Sequence, residues 1–331
     1  VALVGATGAV GQEMLKVLEE RDFPVSNLKA LADPREAGSV VTFQGKEYVV
    51  EGASPDSFSG CQIALFAAGE VVKTLGPAAV KQGAVVIDNS STFRMDPTVP
   101  LVVPEVNPQD VKWHRGIIAN PNCSTIIMVV PLKPLHDAAF IKRIVVSTYQ
   151  AVSGAGRLGL EELEKQVRQW TAGEKPTAEV FPYQIAFNLI PHIDVFEEND
   201  YTKEELKMVF ETRKIMHEPG LRVSPTAVRV PVFRSHSESI NIETERKLDA
   251  EEAKEILSRA PGVILQDDPS QRAYPMPLFT AHRDEVFVGR VRNDESIENG
   301  LNLWVASDQI RKGAATNAVQ IAELLLKERL I

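Results

Sequence analysis

"VALVGATGAVGQEML", residues 1–15, is the stretch on which the fold turns. "VALV" reads as a short β-run, and "GQEMLKVLEERDF" (residues 11–23) carries Met14, Leu15, Val17 and Leu18 at helical spacing. Between them Gly5, Gly8 and Gly11 form the pattern G-x-x-G-x-x-G. Small residues there let a backbone approach a pyrophosphate, whose negative charge a helix N-terminus stabilises. The pattern alone also describes a tight strand-to-helix turn. A strand before it and a helix after it favour a dinucleotide site. The opening apolar run has no basic flank and no cleavage-site pattern, so a strand is expected here rather than a signal peptide.

Working outward, strands and helices alternate. "NLKALAD" (27–33), "CQIALFAAG" (61–69), "AVVIDNS" (84–90) and "RGIIANPN" (115–122) read as strands, and "EVVKTLGPAAVKQG" (70–83) as a helix. Alternation of this kind implies a parallel sheet with right-handed crossovers. The end of the second strand ordinarily selects the cofactor: an acid bonds the ribose hydroxyls of NAD, and an arginine favours the 2'-phosphate of NADP. Here "DPRE" supplies both, with Asp33 and Glu36 flanking Arg35. A solvated turn is the other reading of these three residues.

After Cys123 the pattern changes. "STIIMVVPLKPLHDAA" (124–139) reads as a helix that Pro131 and Pro134 limit or kink. "KRIVVSTYQAV" (142–152), "AVRVPVFRSHSESINIETER" (227–246) and "EVFVGRVRND" (285–294) read as β-runs. "LGLEELEKQVRQW" (158–170) and "TKEELKMVFETRKIM" (202–216) read as amphipathic helices. The expected organisation is α/β: a Rossmann-like, parallel-sheet dinucleotide-binding domain over residues 1–122, then a mixed α+β catalytic and dimerisation domain over 123–308. The helix in 309–331 is expected to return and cover the first sheet.

The 331 residues are enough for two substantial cores. A formal net charge of -9 argues against general affinity for nucleic acid or anionic membrane, and no apolar run approaches the length of a membrane span. Two cysteines make no disulfide framework and suit a reducing compartment such as the cytoplasm. Cys61 lies in a strand-like run. Cys123 stands where "NPN" gives way to a helical pattern, and a thiol at a helix N-terminus gains thiolate character. It is a candidate nucleophile, although an unpaired cysteine is also commonly a buried small hydrophobe. Histidine is the usual partner, and of the six only His236 lies in a distinctive polar Ser-His-Ser step.

"GATGAVG", "VVIDNSSTFR", "NPNCSTIIM", "YQAVSGAG", "EELKMVFETRKI" and "RVPVFRSHSESINIET" follow one another in this order. Together they closely resemble the aspartate-β-semialdehyde dehydrogenase family along essentially the whole chain. The resemblance implies a reversible reaction on the route to lysine, threonine and methionine: aspartate semialdehyde, phosphate and NADP give β-aspartyl phosphate and NADPH through a cysteine thioester. It makes Cys123 the nucleophile, His236 the general acid/base and Gln150 the residue orienting substrate near the thiol. It assigns Arg229 to the substrate carboxylate, and Glu204, Lys207, Arg94 and Asn122 to the substrate and phosphate site. Thr7, Gly8, Ala9, Val10, Arg35, Ser153, Gly154 and Asn317 match cofactor contacts, and the assembly implied is a homodimer or homotetramer. Two departures stand out: "DPRE" replaces a Ser-x-Arg-Ser segment, and "AAGE" (67–70) replaces "SAGG".

Some physical expectations can be set beside these assignments. A guanidinium binds a carboxylate through two hydrogen bonds. Glu204 and Lys207, at i and i+3, share a helix face and equally suit a surface ion pair. Arg229 and His236 are seven positions apart and would face opposite sides of an uninterrupted strand, so both can line one cleft only if the strand bends, bulges or ends between them. Two other functions use the same parts: a related acyl-phosphate reductase, such as one acting on N-acetylglutamyl phosphate, and a dinucleotide-binding sensor without turnover.

Overall fold

The computed structural model describes all 331 residues. In chain order the elements are β1 (Ala2–Val4), α1 (Ala9–Glu20), β2 (Lys29–Ala32), β3 (Val40–Phe43), β4 (Lys46–Val49), β5 (Glu51–Gly52), β6 (Ile63–Phe66), α2 (Val72–Lys81), β7 (Val85–Asp88), β8 (Ile117–Ala119) and α3 (Cys123–Ala139). They continue with β9 (Ile141–Gln150), α4 (Gly156–Thr171), α5 (Lys203–Ile215), β10 (Arg222–Arg229), β11 (His236–Thr244), α6 (Ala250–Ser258), β12 (Val263–Leu265), α7 (Pro277–Thr280), β13 (Val286–Asn293), β14 (Gly300–Ser307) and α8 (Thr316–Lys327). The chain divides into two compact units, Val1–Cys123 with Gly313–Ile331, and Ser124–Lys312.

The first unit is built on a six-stranded sheet of order β5-β2-β1-β6-β7-β8, parallel throughout. Its central strands β1, β6 and β7 are buried on both faces, as a parallel sheet covered on both sides requires. Leu3, Ala30, Leu65 and Ile87 pack in one core with Met14, Leu15 and Leu18 of α1 and Val319, Ala322 and Leu325 of α8. Val4, Leu31, Ala64, Phe66 and Val86 pack on the other face with Val72, Leu75 and Ala79 of α2. Cys61 is buried in that second core beside Phe58 and Phe66. From β1 the chain runs outward to β2 and β5 and then crosses to β6, on β1's other side. The strand order therefore reverses between β1 and β6, where open α/β sheets bind ligands at the carboxyl ends of their strands.

The second unit is a mixed six-stranded sheet of order β10-β9-β11-β14-β13-β12. β9 pairs in parallel with β10 and antiparallel with β11. The β-run over residues 227–246, whose continuity the sequence leaves open, ends and restarts: β10 ends at Arg229 and β11 begins at His236, on opposite sides of β9. The helix after Cys123 runs through Pro131 and Pro134 to Ala139. Its residues from Ser124 to Leu132 are all buried, and this packing outweighs the hydrogen bonds that the prolines forgo.

Candidate active site

In the first unit the loop after β1 is shaped by glycine. Gly5 has φ +86°, a left-handed conformation that disfavours a side chain, and its N–H and that of Ala6 both donate to the Leu31 carbonyl. A Cβ on Gly11 would lie 2.1 Å from the Gly5 carbonyl oxygen, so glycine alone lets α1 seat against β1. A cleft of about 530 Å³ opens beside this loop, lined by Gly5, Thr7 and Gly8, by Asp33 and Glu36 after β2, and by Ala67, Ala68 and Thr74 after β6. A backbone bare of side chains at the N-terminus of a helix, on the reversal point of the sheet, fits a pyrophosphate.

At the rim, Thr7 Oγ1 donates to Glu36 Oε2 at 2.6 Å. Arg35 is turned to Asp33: its Nε and Nη2 donate to the carboxylate at 2.9 and 3.0 Å, and its backbone N–H donates at 3.0 Å. These side-chain and backbone hydrogen bonds hold the Asp33 carboxyl down to about 2. The Arg35 side chain is 89% exposed.

Beyond β7 and β8 lies a buried amide network of the same unit. Arg94 donates through Nε to the Asn120 carbonyl and through Nη2 to the Asn89 carbonyl, both at 3.0 Å. Asn120 Nδ2 donates to Asn89 Oδ1 at 2.6 Å. Asn317 Nδ2 donates to Asn120 Oδ1 at 2.6 Å and to the Val102 carbonyl at 3.0 Å, which occupies both of its amide hydrogens. Asn317 thus braces the Asn120-Pro121-Asn122 stretch that leads to Cys123. Asn122 is buried, and Cys123 is partly exposed, forms no disulfide and is the first residue of α3.

In the second unit Gln150, Arg229 and His236 come together because β9 lies between β10 and β11. Gln150 and Arg229 are register partners at the ends of their strands. The peptide groups of Ala151 join the other two: its carbonyl accepts from Arg229 Nη1 at 2.7 Å, and its N–H donates to His236 Nδ1 at 3.0 Å. No sequence signal marks Ala151, since its role is carried by the backbone. His236 is fully buried, and burial, with the Arg229 charge adding to it, holds the ring well below its ordinary 6.5. A neutral ring whose Nδ1 accepts carries its proton on Nε2. Nε2 has no protein hydrogen-bond partner.

Gly154 keeps the approach to that atom open: a Cβ there would lie 2.7 Å from Arg229 Nη1 and 3.4 Å from His236 Nε2. Ser153 is bonded by Gln309 Nε2, and Gln309 Oε1 accepts from the Ser235 N–H at 2.9 Å. One side chain therefore fixes the turn after β9 and the left-handed residue, φ +76°, that leads into His236.

Gln150 Nε2 lies 3.3 Å from Glu204 Oε1, and Glu204 Oε2 accepts from Lys207 Nζ at 3.1 Å. Lys207 also bonds Asp194 at 2.8 Å. Burial disfavours the ammonium, but the Glu204 charge and the Asp194 bond outweigh it and raise the lysine above its ordinary value. The Glu204–Lys207 pair is accordingly half-sunk beside Gln150 rather than spread on the surface. A capping box between Thr202 and Glu205 starts α5, and Glu205 Oε1 also accepts from the Ala227 N–H at 2.9 Å, tying the helix to β10.

Residues 1–114 match the family described as semialdehyde dehydrogenase, NAD binding domain, and residues 132–312 match semialdehyde dehydrogenase, dimerisation domain. An aspartate-semialdehyde dehydrogenase of Aquifex aeolicus is 61% identical over 336 residues, spanning 100% of this chain and 99% of that protein. The chain belongs to the aspartate-semialdehyde dehydrogenase family. The Bacillus subtilis aspartate-semialdehyde dehydrogenase is 54% identical, spanning 100% of this chain and 98% of that protein. The crystal structure of aspartate semialdehyde dehydrogenase II complexed with ASA, from Vibrio cholerae, superposes with a TM-score of 0.96 at 50% identity, over 98% of this chain and 97% of that one. In this family context the cleft of the first unit is part of an NAD-binding domain, and the mixed sheet is part of a dimerisation domain.

Proposed function

We propose that this chain catalyses the reversible reductive dephosphorylation of β-aspartyl phosphate to aspartate β-semialdehyde through a Cys123 thioester, with NADP as the cofactor that the resemblance implies. The observation that carries the site reading is the Ala151 junction, which sets a neutral, Nε2-protonated histidine beside a buried guanidinium. Arg229 anchors the substrate carboxylate by paired hydrogen bonds. Glu204, Lys207 and Gln150 orient the ammonium end, and Arg94 and Asn122 belong to the phosphate subsite. Cys123 attacks the acyl carbon, phosphate leaves, and a thioester remains. When bound, the reduced nicotinamide supplies the hydride that the thioester takes up. Expulsion of the thiolate then releases the aldehyde.

His236 enters as a hydrogen-bond donor. With Nδ1 occupied by the Ala151 N–H, its Nε2–H is directed at developing negative charge on the substrate oxygen. To serve as a base at Nε2 the ring would have to give up the Ala151 bond, and to serve as a cationic acid it would have to overcome burial and the Arg229 charge. Its share in the acid/base chemistry is thus to hold a proton in place.

The second unit carries the self-association of a homodimer or homotetramer, and two cysteines outside any disulfide suit a cytoplasmic enzyme. The test is a spectrophotometric assay of aspartate semialdehyde against N-acetylglutamate semialdehyde, each with phosphate and with NADP or NAD. Phosphate-dependent turnover of aspartate semialdehyde alone is expected. Preference for the acetylated substrate, whose amine carries no charge for Glu204 to face, would overturn the reading. Sedimentation at micromolar concentration should show no monomer-only distribution.

A further inference from the structure

The rim of the cleft beside β1 and β2 departs from what a 2'-phosphate needs. Glu36 lines the cleft and is held by Thr7, itself a lining residue, through a 2.6 Å hydrogen bond. The nearby cation, Arg35, is not in the lining: its Nε, its Nη2 and its backbone N–H are turned to Asp33. No lysine or arginine lines the cleft at all. A carboxylate with one oxygen on Thr7 has its other oxygen to accept from a hydroxyl. Facing a phosphate of charge about -1.5 to -2 at neutral pH, the same carboxylate is repulsive.

We infer that this cleft accepts NAD as well as NADP, and that Glu36 is the specificity-determining residue, accepting the 2'-hydroxyl of the adenosine ribose. A 2'-phosphate must draw Arg35 toward the cleft while meeting the Glu36 carboxylate, whereas a 2'-hydroxyl requires no such rearrangement. The inference rests on the reading of this cleft as the dinucleotide site of the proposed dehydrogenase.

Binding and turnover separate the two claims. Titration of the whole protein with NADH and with NADPH, followed by nicotinamide fluorescence, should give dissociation constants within tenfold of each other. NADH binding more than tenfold weaker than NADPH binding overturns the inference. Glu36→Ser should move the ratio toward NADPH by about 10- to 100-fold, the scale of one charge-assisted hydrogen bond. Asp33→Ser, which frees Arg35 without touching Glu36, should tighten NADPH. A ratio that moves less than tenfold in Glu36→Ser removes that residue from the role. Absence of turnover with either cofactor, while NADH still binds, counts against the proposed reaction and leaves the NAD assignment standing.

Discussion

His236 illustrates how a single backbone bond sets chemistry. The Ala151 N–H fixes the imidazole tautomer, and burial keeps the ring neutral, so in the proposed reaction its part at neutral pH is donation from Nε2. Two outcomes follow. His236→Ala should lower kcat by about 100- to 1000-fold, the usual loss for one oxyanion donor, and His236→Asn, which keeps an N–H, should recover part of it. Equal losses in the two variants would show that proton transfer, not donation, is the need. Cys123→Ala should abolish turnover yet bind dinucleotide normally, and near-normal turnover would end the thioester mechanism. Cys61 offers no substitute nucleophile, because it is packed in the core against Phe58 and Phe66. Gly154→Ala places a methyl 2.7 Å from Arg229 Nη1. It should raise KM and lower kcat while leaving the melting temperature within a few degrees of wild type.

At the scale of elements, α1 depends on the contact between Gly11 and the Gly5 carbonyl. Gly11→Ala puts a Cβ 2.1 Å from a backbone oxygen that cannot swing aside. The helix and strand must separate, at a cost of about 1–3 kcal/mol. Thermal unfolding should fall accordingly, and dinucleotide affinity with it. An unchanged affinity would mean that the loop tolerates displacement. This element was legible in the sequence because glycine spacing, strand pattern and helix period all point the same way. The β3–β4 hairpin is less legible: Val41 and Phe43 alternate with exposed Val40 and Thr42, but each strand is only four residues long and Val49 is exposed. β14, central in the second sheet, has a weak signature, because Gly300–Ser307 alternates only in part. The break between Arg229 and His236 is only partly legible: Pro231 in "RVPVFRSHS" signals an interruption, but Val230, Val232 and Phe233 around it have strand-like composition. Pro231 and the left-handed Ser235 interrupt the run, and that the chain then crosses β9 to form β11 is a tertiary fact. The Arg229–Ala151–His236 junction was invisible for a related reason: its hub is a peptide unit, which has no residue-type signature.

For the molecule as a whole, β11 carries two buried groups that oppose each other in pH. His236 and Glu238 are two residues apart and share a face of the strand. Glu238 is fully buried, neither of its oxygens has a protein partner, and burial pushes its carboxyl well above the ordinary 4.5. A raised carboxyl contributes its full stability below the unfolded value of about 4.3 and loses it as pH rises toward the folded value. A depressed histidine does the reverse: its contribution is whole above about 6.5 and is lost as pH falls below that. Above pH 6.5, then, Glu238 acts without the histidine, and each unit of pH in which only the unfolded state is ionised costs about 1.4 kcal/mol. Glu238→Gln keeps the shape and removes the titration. Its melting temperature relative to wild type should therefore rise between pH 5 and pH 8, by roughly 2–4 °C for each kcal/mol relieved. Scanning calorimetry of both proteins across that range provides the check. A difference that stays flat with pH would mean that Glu238 is ionised in the folded protein throughout the range, and the pH limit of stability would then have to be sought in other groups.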